Sequence, residues 1–316
     1  MRQINRVAVL GAGVMGATIA AHLANAGLDV VMLDIVPREL TDQEKAKGLT
    51  LESPAVRNRI AANGKQGLLT MKPAPLYLKD FAERIDIGNF EDDLAKLKQC
   101  DWIIEVVVEH MPIKLDLLKK LVPNVSPGAV LSTNTSGLSV NEMAQALPAE
   151  MRKNFLVTHF FNPPRYMRLM EVVGCKETDP EILSSMAEFI NRRLGKGTVY
   201  AKDTPNFIAN RIGVYAIYKG IEHMMDLDMT VEEVDSVAGT ATARPKSAAF
   251  RTVDLVGLDT LGHIAENTYE LLPHDEEREV FKVPEFMAEM IKNGQHGNKT
   301  QKGFYTKKVV DGNKEI

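Results

Sequence analysis

The chain is poor in the features that mark several protein classes. Among its 316 residues are two cysteines, Cys100 and Cys175. Two are too few for a disulfide framework, they lack the spacing of a metal site, and such sparing use fits a reducing compartment. Net charge is also scarce: 38 Lys and Arg against 42 Asp and Glu leave −4, too mild a balance for a nucleic-acid or membrane-surface protein. Long apolar runs are missing as well. The most apolar stretch, 7–36, is broken by Gly11, Gly13, Gly16, His22, Asn25, Gly27, Asp29 and Asp34. The polar start at 1–6 does not have the shape of a secretory signal. A soluble, cytoplasmic protein is expected. With 45% hydrophobic and 25% charged residues, disorder and fibre are excluded, and the length suggests about two domains.

What is present near the N-terminus names a cofactor. Val7-Ala8-Val9-Leu10 reads as a buried parallel strand, Gly11-Ala12-Gly13-Val14-Met15-Gly16 follows it directly, and 17–26 reads as an alanine-rich helix. Val30-Val31-Met32-Leu33 is a second strand, closed by Asp34. Gly11 suits the tight turn, Gly13 the close approach of a pyrophosphate, and Gly16 the packing of helix on strand. The helix N-terminus offers N–H groups to phosphates, so Val14 and Met15 count with the glycines among the cofactor contacts. Asp34 stands where an acid takes the adenosine ribose hydroxyls and repels a 2′-phosphate, which favours NAD over NADP. The competing reading is an ordinary glycine-bearing turn in a nucleotide-free domain.

The segment 37–77 is polar and helix-prone, with Lys45, Lys47, Arg57, Arg59, Lys65 and Lys72 along it. It reads as a helical excursion from the sheet, either a solvated helical hairpin or the resting place of a phosphate-rich ligand. Further on, strands are expected at 84–88, 101–109, 129–131 and 155–159, with helices at 91–99, 113–121 and 139–147 between them. This alternation predicts an α/β, doubly wound parallel sheet. An added strand at 169–173, a helix at 179–194 and a last strand at 198–201 complete it. Beyond about Lys202 the alternation stops, and 207–225, 231–237, 255–272 and 286–292 read as helices. The expected division is therefore 1–202, then an all-α domain 203–305, then a polar tail or linker 306–316.

Ligands bind at the carboxyl ends of strands in such sheets, where Glu109, Ser136 and His159 fall. A dehydrogenase of a secondary alcohol needs a base near working pH, and histidine supplies one. A carboxylate on the far ring nitrogen, here Glu171, would fix the tautomer and steady the imidazolium. Ser136 and Asn210 could hold the alcohol or the developing carbonyl. Taken alone, His159 and Glu171 also fit a structural pair. No metal is called for.

These motifs, in order, resemble the L-3-hydroxyacyl-CoA dehydrogenases of fatty-acid β-oxidation over almost the whole chain. They comprise the glycine turn, Glu105-Val106-Val107-Val108-Glu109, Asn134-Thr135-Ser136, His159-Phe160-Phe161-Asn162-Pro163, Met170-Glu171-Val172-Val173, Lys202-Asp203-Thr204-Pro205, and Lys299 before Gly303-Phe304-Tyr305. The resemblance implies a Rossmann-type NAD domain, His159 as catalytic base with Glu171 its partner, and Ser136 and Asn210 at the substrate. It also implies Glu109, Lys114, Asn162 and Lys299 beside the nicotinamide half of NAD, and coenzyme A against the excursion. The helical domain would close over an acyl-CoA and carry a homodimer interface. The chain departs from the commoner pattern at His110, at Asn206, where a glycine is usual, and at Pro164-Arg165-Tyr166. The last two flank the presumed acyl site and are the positions expected to bear on chain length. Segments 44–51 and 206–213 and the abrupt polar end look most like the N-terminal portion of a bifunctional form that also carries an enoyl-CoA hydratase. Other readings are a dehydrogenase of a free 3-hydroxy (sugar) acid and an NAD-binding module without catalysis.

Overall fold

A computed structural model describes residues 3–306 and the strands Lys308–Val310 and Asn313–Glu315. The chain divides into two compact units, Met1–Thr204 and Pro205–Ile316. No helix among the described residues is long and apolar enough to cross a membrane.

The first unit is built on strands β1 (Arg6–Leu10), β2 (Asp29–Asp34), β3 (Ile85–Asn89), β4 (Trp102–Glu105), β5 (Val130–Thr133), β6 (Phe155–Phe160), β7 (Leu169–Gly174) and β8 (Gly197–Tyr200). They form one eight-stranded sheet in the order β3-β2-β1-β4-β5-β6-β7-β8. The first six strands follow the doubly wound dinucleotide-binding order, which reverses direction between β1 and β4. All neighbours run parallel except β6 and β7. The antiparallel member is the added strand expected at 169–173, and the short return between β6 and β7 allows it, since no crossover is needed. The central strands are buried along their whole length, as a sheet covered on both faces requires.

Helices α1 (Val14–Asn25), α5 (Met111–Leu121), α6 (Val140–Ala144), α7 (Ala149–Arg152) and α8 (Pro180–Leu194) accompany the sheet. The excursion consists of three short helices, α2 (Asp42–Ala46), α3 (Pro54–Arg57) and α4 (Arg59–Gly67). Helix α4 packs on the cofactor turn itself, where a Cβ on Gly64 would lie 2.5 Å from the carbonyl oxygen of Ala12. Ala61 and Ala12 share the unit's hydrophobic core.

Two further boundaries differ from expectation. The run 101–109 stops being a strand at Glu105, because that carboxylate is buried and accepts an N–H from Val107 at 2.7 Å, which turns the chain. The helix expected at 91–99 is only a 3₁₀ segment, Leu94–Gln99.

The second unit holds α9 (Ala209–Asp226), α10 (Val231–Val237), α11 (Phe250–Val256), α12 (Leu258–Leu271) and α13 (Glu285–Lys292). The single helix expected at 255–272 is split at Gly257, whose φ of +109° is foreign to a right-handed helix. Strands β9 (Lys308–Val310) and β10 (Asn313–Glu315) pair antiparallel where a polar tail was expected. Asp311 and Gly312 lie outside the described residues.

Candidate active site

At the end of β1 the chain turns at Gly11, with φ +115°, and a Cβ there would press to 2.6 Å from the carbonyl oxygen of Val106. A Cβ on Gly16 would collide with the carbonyl oxygen of Gly11. A Cβ on Gly13, by contrast, would meet nothing within 4 Å. The backbone is therefore bare on the side where a phosphate can approach. Gly13 is the N-cap of α1, no side chain caps the helix, and such a helix start offers N–H groups to an anion. Val14 stands 60% exposed on the same rim and Met15 is half-buried. At the tip of β2, Asp34 is half-buried; its carboxylate accepts the N–H of Ala12 at 2.5 Å and that of Ile35 at 2.6 Å. Those bonds hold it against the turn, and each oxygen keeps a second lone-pair direction for a ribose hydroxyl. Bare turn, uncapped helix and fixed acid together fit NAD.

The catalytic candidates follow from strand register. In the β6–β7 pair, His159 lies directly opposite Glu171, and facing residues of an antiparallel pair share one side of the sheet. His159 Nδ1 and Glu171 Oε2 are 2.7 Å apart, with the residues 4% and 0% exposed. The Phe161 ring lies 4.4 Å from the imidazole, centroid to centroid. A separation of twelve residues says little by itself; the ladder turns it into a contact.

A second network lies at the ends of β4 and β5. Lys114 is completely buried and donates to both oxygens of Glu105, each at 2.9 Å. It also meets Glu109 at 3.3 Å. Thr133 donates to Glu105 at 2.6 Å. Glu109 then accepts the hydroxyl of Thr135 at 2.5 Å and the N–H of Ser136 at 2.8 Å. Lys114, expected beside the nicotinamide, is thus a buried anchor, and it orients the more exposed Glu109. Glu105 and Thr135 stand within the motifs read from the sequence without a role of their own there, and Thr133 had no signal in the sequence. Asn134 joins the two networks by accepting the N–H of Phe160 at 2.9 Å. Asn162, exposed, follows β6. Asp203 accepts the N–H groups of Val140 and Asn141 at 2.9 and 3.0 Å, which fixes the start of α6.

Two more buried groups stand behind β6. Lys196 donates to the carbonyls of Pro164 and, at 2.6 Å, Met167, and burial lowers its pKa to about 8. His22 is 6% exposed, its ring nitrogens find no well-formed hydrogen bond, and its pKa falls to about 4, chiefly through burial and then through the charge of Lys196.

Of the basic residues on the excursion, Arg57 is held by Asp92, Glu91 and Glu52 at 2.7, 2.9 and 3.3 Å. Arg59 pairs with Glu44, and Lys65 donates to the Ile85 carbonyl at 2.6 Å. Lys45, Lys47 and Lys72 remain on the surface.

In the second unit, Asn210 lies in the first turn of α9, half-buried. Lys299 is paired with Asp259 at 2.5 Å. Asn206 takes a left-handed φ of +61° and donates to Thr268 at 2.5 Å. Asparagine tolerates that conformation, which accounts for its standing where glycine is usual. It is 7% exposed.

Residues 6–204 match the 3-hydroxyacyl-CoA dehydrogenase, NAD binding domain, and residues 207–307 the 3-hydroxyacyl-CoA dehydrogenase, C-terminal domain. The chain is 50% identical over 306 residues to a probable 3-hydroxyacyl-CoA dehydrogenase of Bacillus subtilis; the match covers 97% of this chain and 39% of that protein. A probable 3-hydroxyacyl-CoA dehydrogenase of Deinococcus radiodurans is 41% identical, with 96% and 83% covered. Among solved structures, FadB2 of M. tuberculosis superposes with a TM-score of 0.76 at 30% identity, covering 96% of this chain and 99% of its own. The chain therefore spans about two fifths of the Bacillus relative and most of the Deinococcus one. With both units matched in sequence and the fold shared, the chain belongs to the 3-hydroxyacyl-CoA dehydrogenase family of oxidoreductases, and its first unit is that family's NAD-binding domain.

Proposed function

We propose that this protein oxidises (S)-3-hydroxyacyl-CoA to 3-ketoacyl-CoA, with NAD as the oxidant, in fatty-acid oxidation. The observation that carries the reading is the buried His159–Glu171 pair, 2.7 Å across, on the sheet that bears the cofactor turn. Bound NAD supplies the hydride acceptor. His159 takes the hydroxyl proton as the C3–H electron pair leaves; with Nδ1 engaged by Glu171, that role falls to Nε2. Glu171 holds the ring and stabilises the imidazolium that forms. Ser136 and Asn210 orient the hydroxyl and thioester oxygens, while Glu109, held by Lys114 and Thr135, and Asn162 and Lys299 serve the nicotinamide side. Asp34 takes the ribose. Lys45, Lys47 and Lys72 are the exposed cations between residues 45 and 72 for the phosphates of coenzyme A. The helical unit forms the homodimer, and the protein works in the cytoplasm.

One observation favours a second reading. With Arg57, Arg59 and Lys65 bound to internal partners, the excursion offers less charge to phosphates than its composition suggests, as a free 3-hydroxy acid substrate would allow. NADH formation with a graded series of (S)-3-hydroxyacyl-CoA esters decides between them. Turnover that survives replacement of Lys45, Lys47 and Lys72 together, or turnover on free acids alone, would reject the coenzyme A assignment. Silence on both, with NAD bound, would leave a binding module.

A further inference from the structure

The stretch that brings the excursion back to the sheet, 72–78, forms no regular element, yet Pro75 and Leu76 within it are buried. Its main chain is laced to its surroundings by side chains. The Ala74 carbonyl accepts from Arg165 at 2.6 Å and from the Tyr166 hydroxyl at 2.9 Å. The Pro75 carbonyl accepts from Asn25 at 2.9 Å, and the Leu76 carbonyl from Arg165 at 2.9 Å. Asn25 accepts the N–H of Tyr77 in return, again at 2.9 Å. The Arg165 guanidinium also lies 4.2 Å from the ring centroid of Tyr77 and 5.1 Å from that of Tyr166.

The loop that carries Arg165 is itself held from below. Lys196, buried, donates to the carbonyls on either side of it, Pro164 and Met167. Between loop and stretch lies a cavity of about 260 Å³, bounded by Lys72 and Pro73 on one side, Asn162 and Arg165 on the other, and Val14 and Thr18 of α1. A planar guanidinium over the Tyr77 ring, with one of its terminal nitrogens shared between two carbonyls, defines a geometry that water or a lysine would not.

We propose that Arg165, with Tyr77 and Tyr166, is a positioning latch that fixes the excursion's return against the loop after β6, and so sets how a substrate held on the excursion presents its hydroxyl to His159. The inference rests on the reading that the excursion takes the coenzyme A half. Arg165 and Tyr166 direct their hydrogen bonds to the carbonyls of the stretch and not to His159 or the glycine turn. The latch's effect should therefore depend on whether the substrate has a coenzyme A half to be positioned.

The test compares the (S)-3-hydroxybutyryl ester of coenzyme A with the N-acetylcysteamine thioester of the same acid, in the wild type, Arg165→Met, Arg165→Lys and Tyr166→Phe. For Arg165→Met, kcat/KM on the coenzyme A ester should fall about tenfold or more. On the truncated ester it should change less than about twofold, with KM for NAD constant. Arg165→Lys should recover little, because it lacks the planar guanidinium that lies over Tyr77. Equal losses on both esters, or no loss on either, would overturn the latch. If Arg165→Met fails to fold, Tyr166→Phe, which removes a single hydrogen bond, must show a smaller split in the same direction. Wild-type turnover of the coenzyme A ester is read separately: its absence sinks the substrate assignment, and only the split between esters speaks to Arg165.

Discussion

His22 gives the first unit an acid-sensitive weakness whose size follows from its surroundings. The ring sits inside α1 at 6% exposure, edge-on to Phe160 with 6.4 Å between centroids. Burial lowers its pKa from 6.5 to about 4; the charges of Lys196 and Arg165 act the same way, and the backbone of Leu194 opposes them. The unfolded chain takes up a proton as pH falls through about 6.5, whereas the folded unit resists until about 4. Between those values the unfolded state binds more protons, so stability is lost as pH falls. The full loss is about 3 kcal/mol, at roughly 1.4 kcal/mol for each pH unit of displacement. At pH 5 about 2 kcal/mol of it is already gone, and above pH 7 almost none. Trp102, the chain's one tryptophan, is fully buried in the same core, so its fluorescence follows the unfolding of this unit. Urea titrations of the wild type and His22→Leu at pH 7.5 and pH 5 isolate the histidine from the carboxylates, which titrate alike in both. The wild type should lose about 2 kcal/mol more than the variant between the two pH values. Parallel pH dependences, within about 0.5 kcal/mol, would show that the ring finds a partner or water in the folded state, and the reasoning from burial would fail.

Three other outcomes are expected. Glu171→Gln keeps the shape of the His159 contact but removes the charge that steadies an imidazolium; turnover should fall by about two to four powers of ten, with NAD affinity unchanged in a fluorescence titration. A parallel loss of NAD affinity would make the pair structural. Lys114→Met leaves the Glu105 carboxylate buried without its cation, which should cost the first unit about 3–5 kcal/mol in Trp102-monitored unfolding, and adding Glu105→Gln should restore part of it. Asn206→Gly keeps the left-handed backbone and loses the side-chain hydrogen bonds to Thr268 and the Ile264 carbonyl, about 1–2 kcal/mol, whereas Asn206→Val loses about 1–2 kcal/mol more. Calorimetry should rank them in that order, and a reversed order would reject the backbone explanation.

The parts of the site that were legible in the sequence are those whose chemistry is local. β1, the glycine turn, α1, β2 and Asp34 form one contiguous unit in which each residue's job depends on near neighbours. Its pattern could be read without knowing the sheet order. The helix split at Gly257 shows where such reading stops, since the apolar period continues across a residue whose φ breaks the helix. The run after Glu105 fails for a related reason. Val106, Val107 and Val108 carry strand-like side chains, yet Val108 ends 63% exposed because a buried carboxylate upstream captures the Val107 N–H.

The remaining parts depend on register and on long-range burial. Nothing in the interval from His159 to Glu171 says that the two face each other; that follows from β7 running back along β6 in a ladder that sets residue 159 opposite 171. Lys114, Lys196 and His22 are a stronger case. By residue type each reads as a surface or solvated group, and each becomes fully or nearly buried only when segments distant in sequence close around it. Their consequences differ with what they meet. Lys114 finds a carboxylate and anchors the Glu109 side of the site. Lys196 finds only carbonyls, which hold the loop of Arg165. His22, between apolar neighbours and a cation, finds neither. A buried cation with two carbonyl acceptors and no anion is costly unless the geometry it enforces is needed. Here it enforces the loop between β6 and β7, the connection that holds the His159–Glu171 register in place and carries the latch toward the excursion. The antiparallel return and the buried lysine beneath it thus form one device, and the dyad's alignment should be the property most sensitive to Lys196.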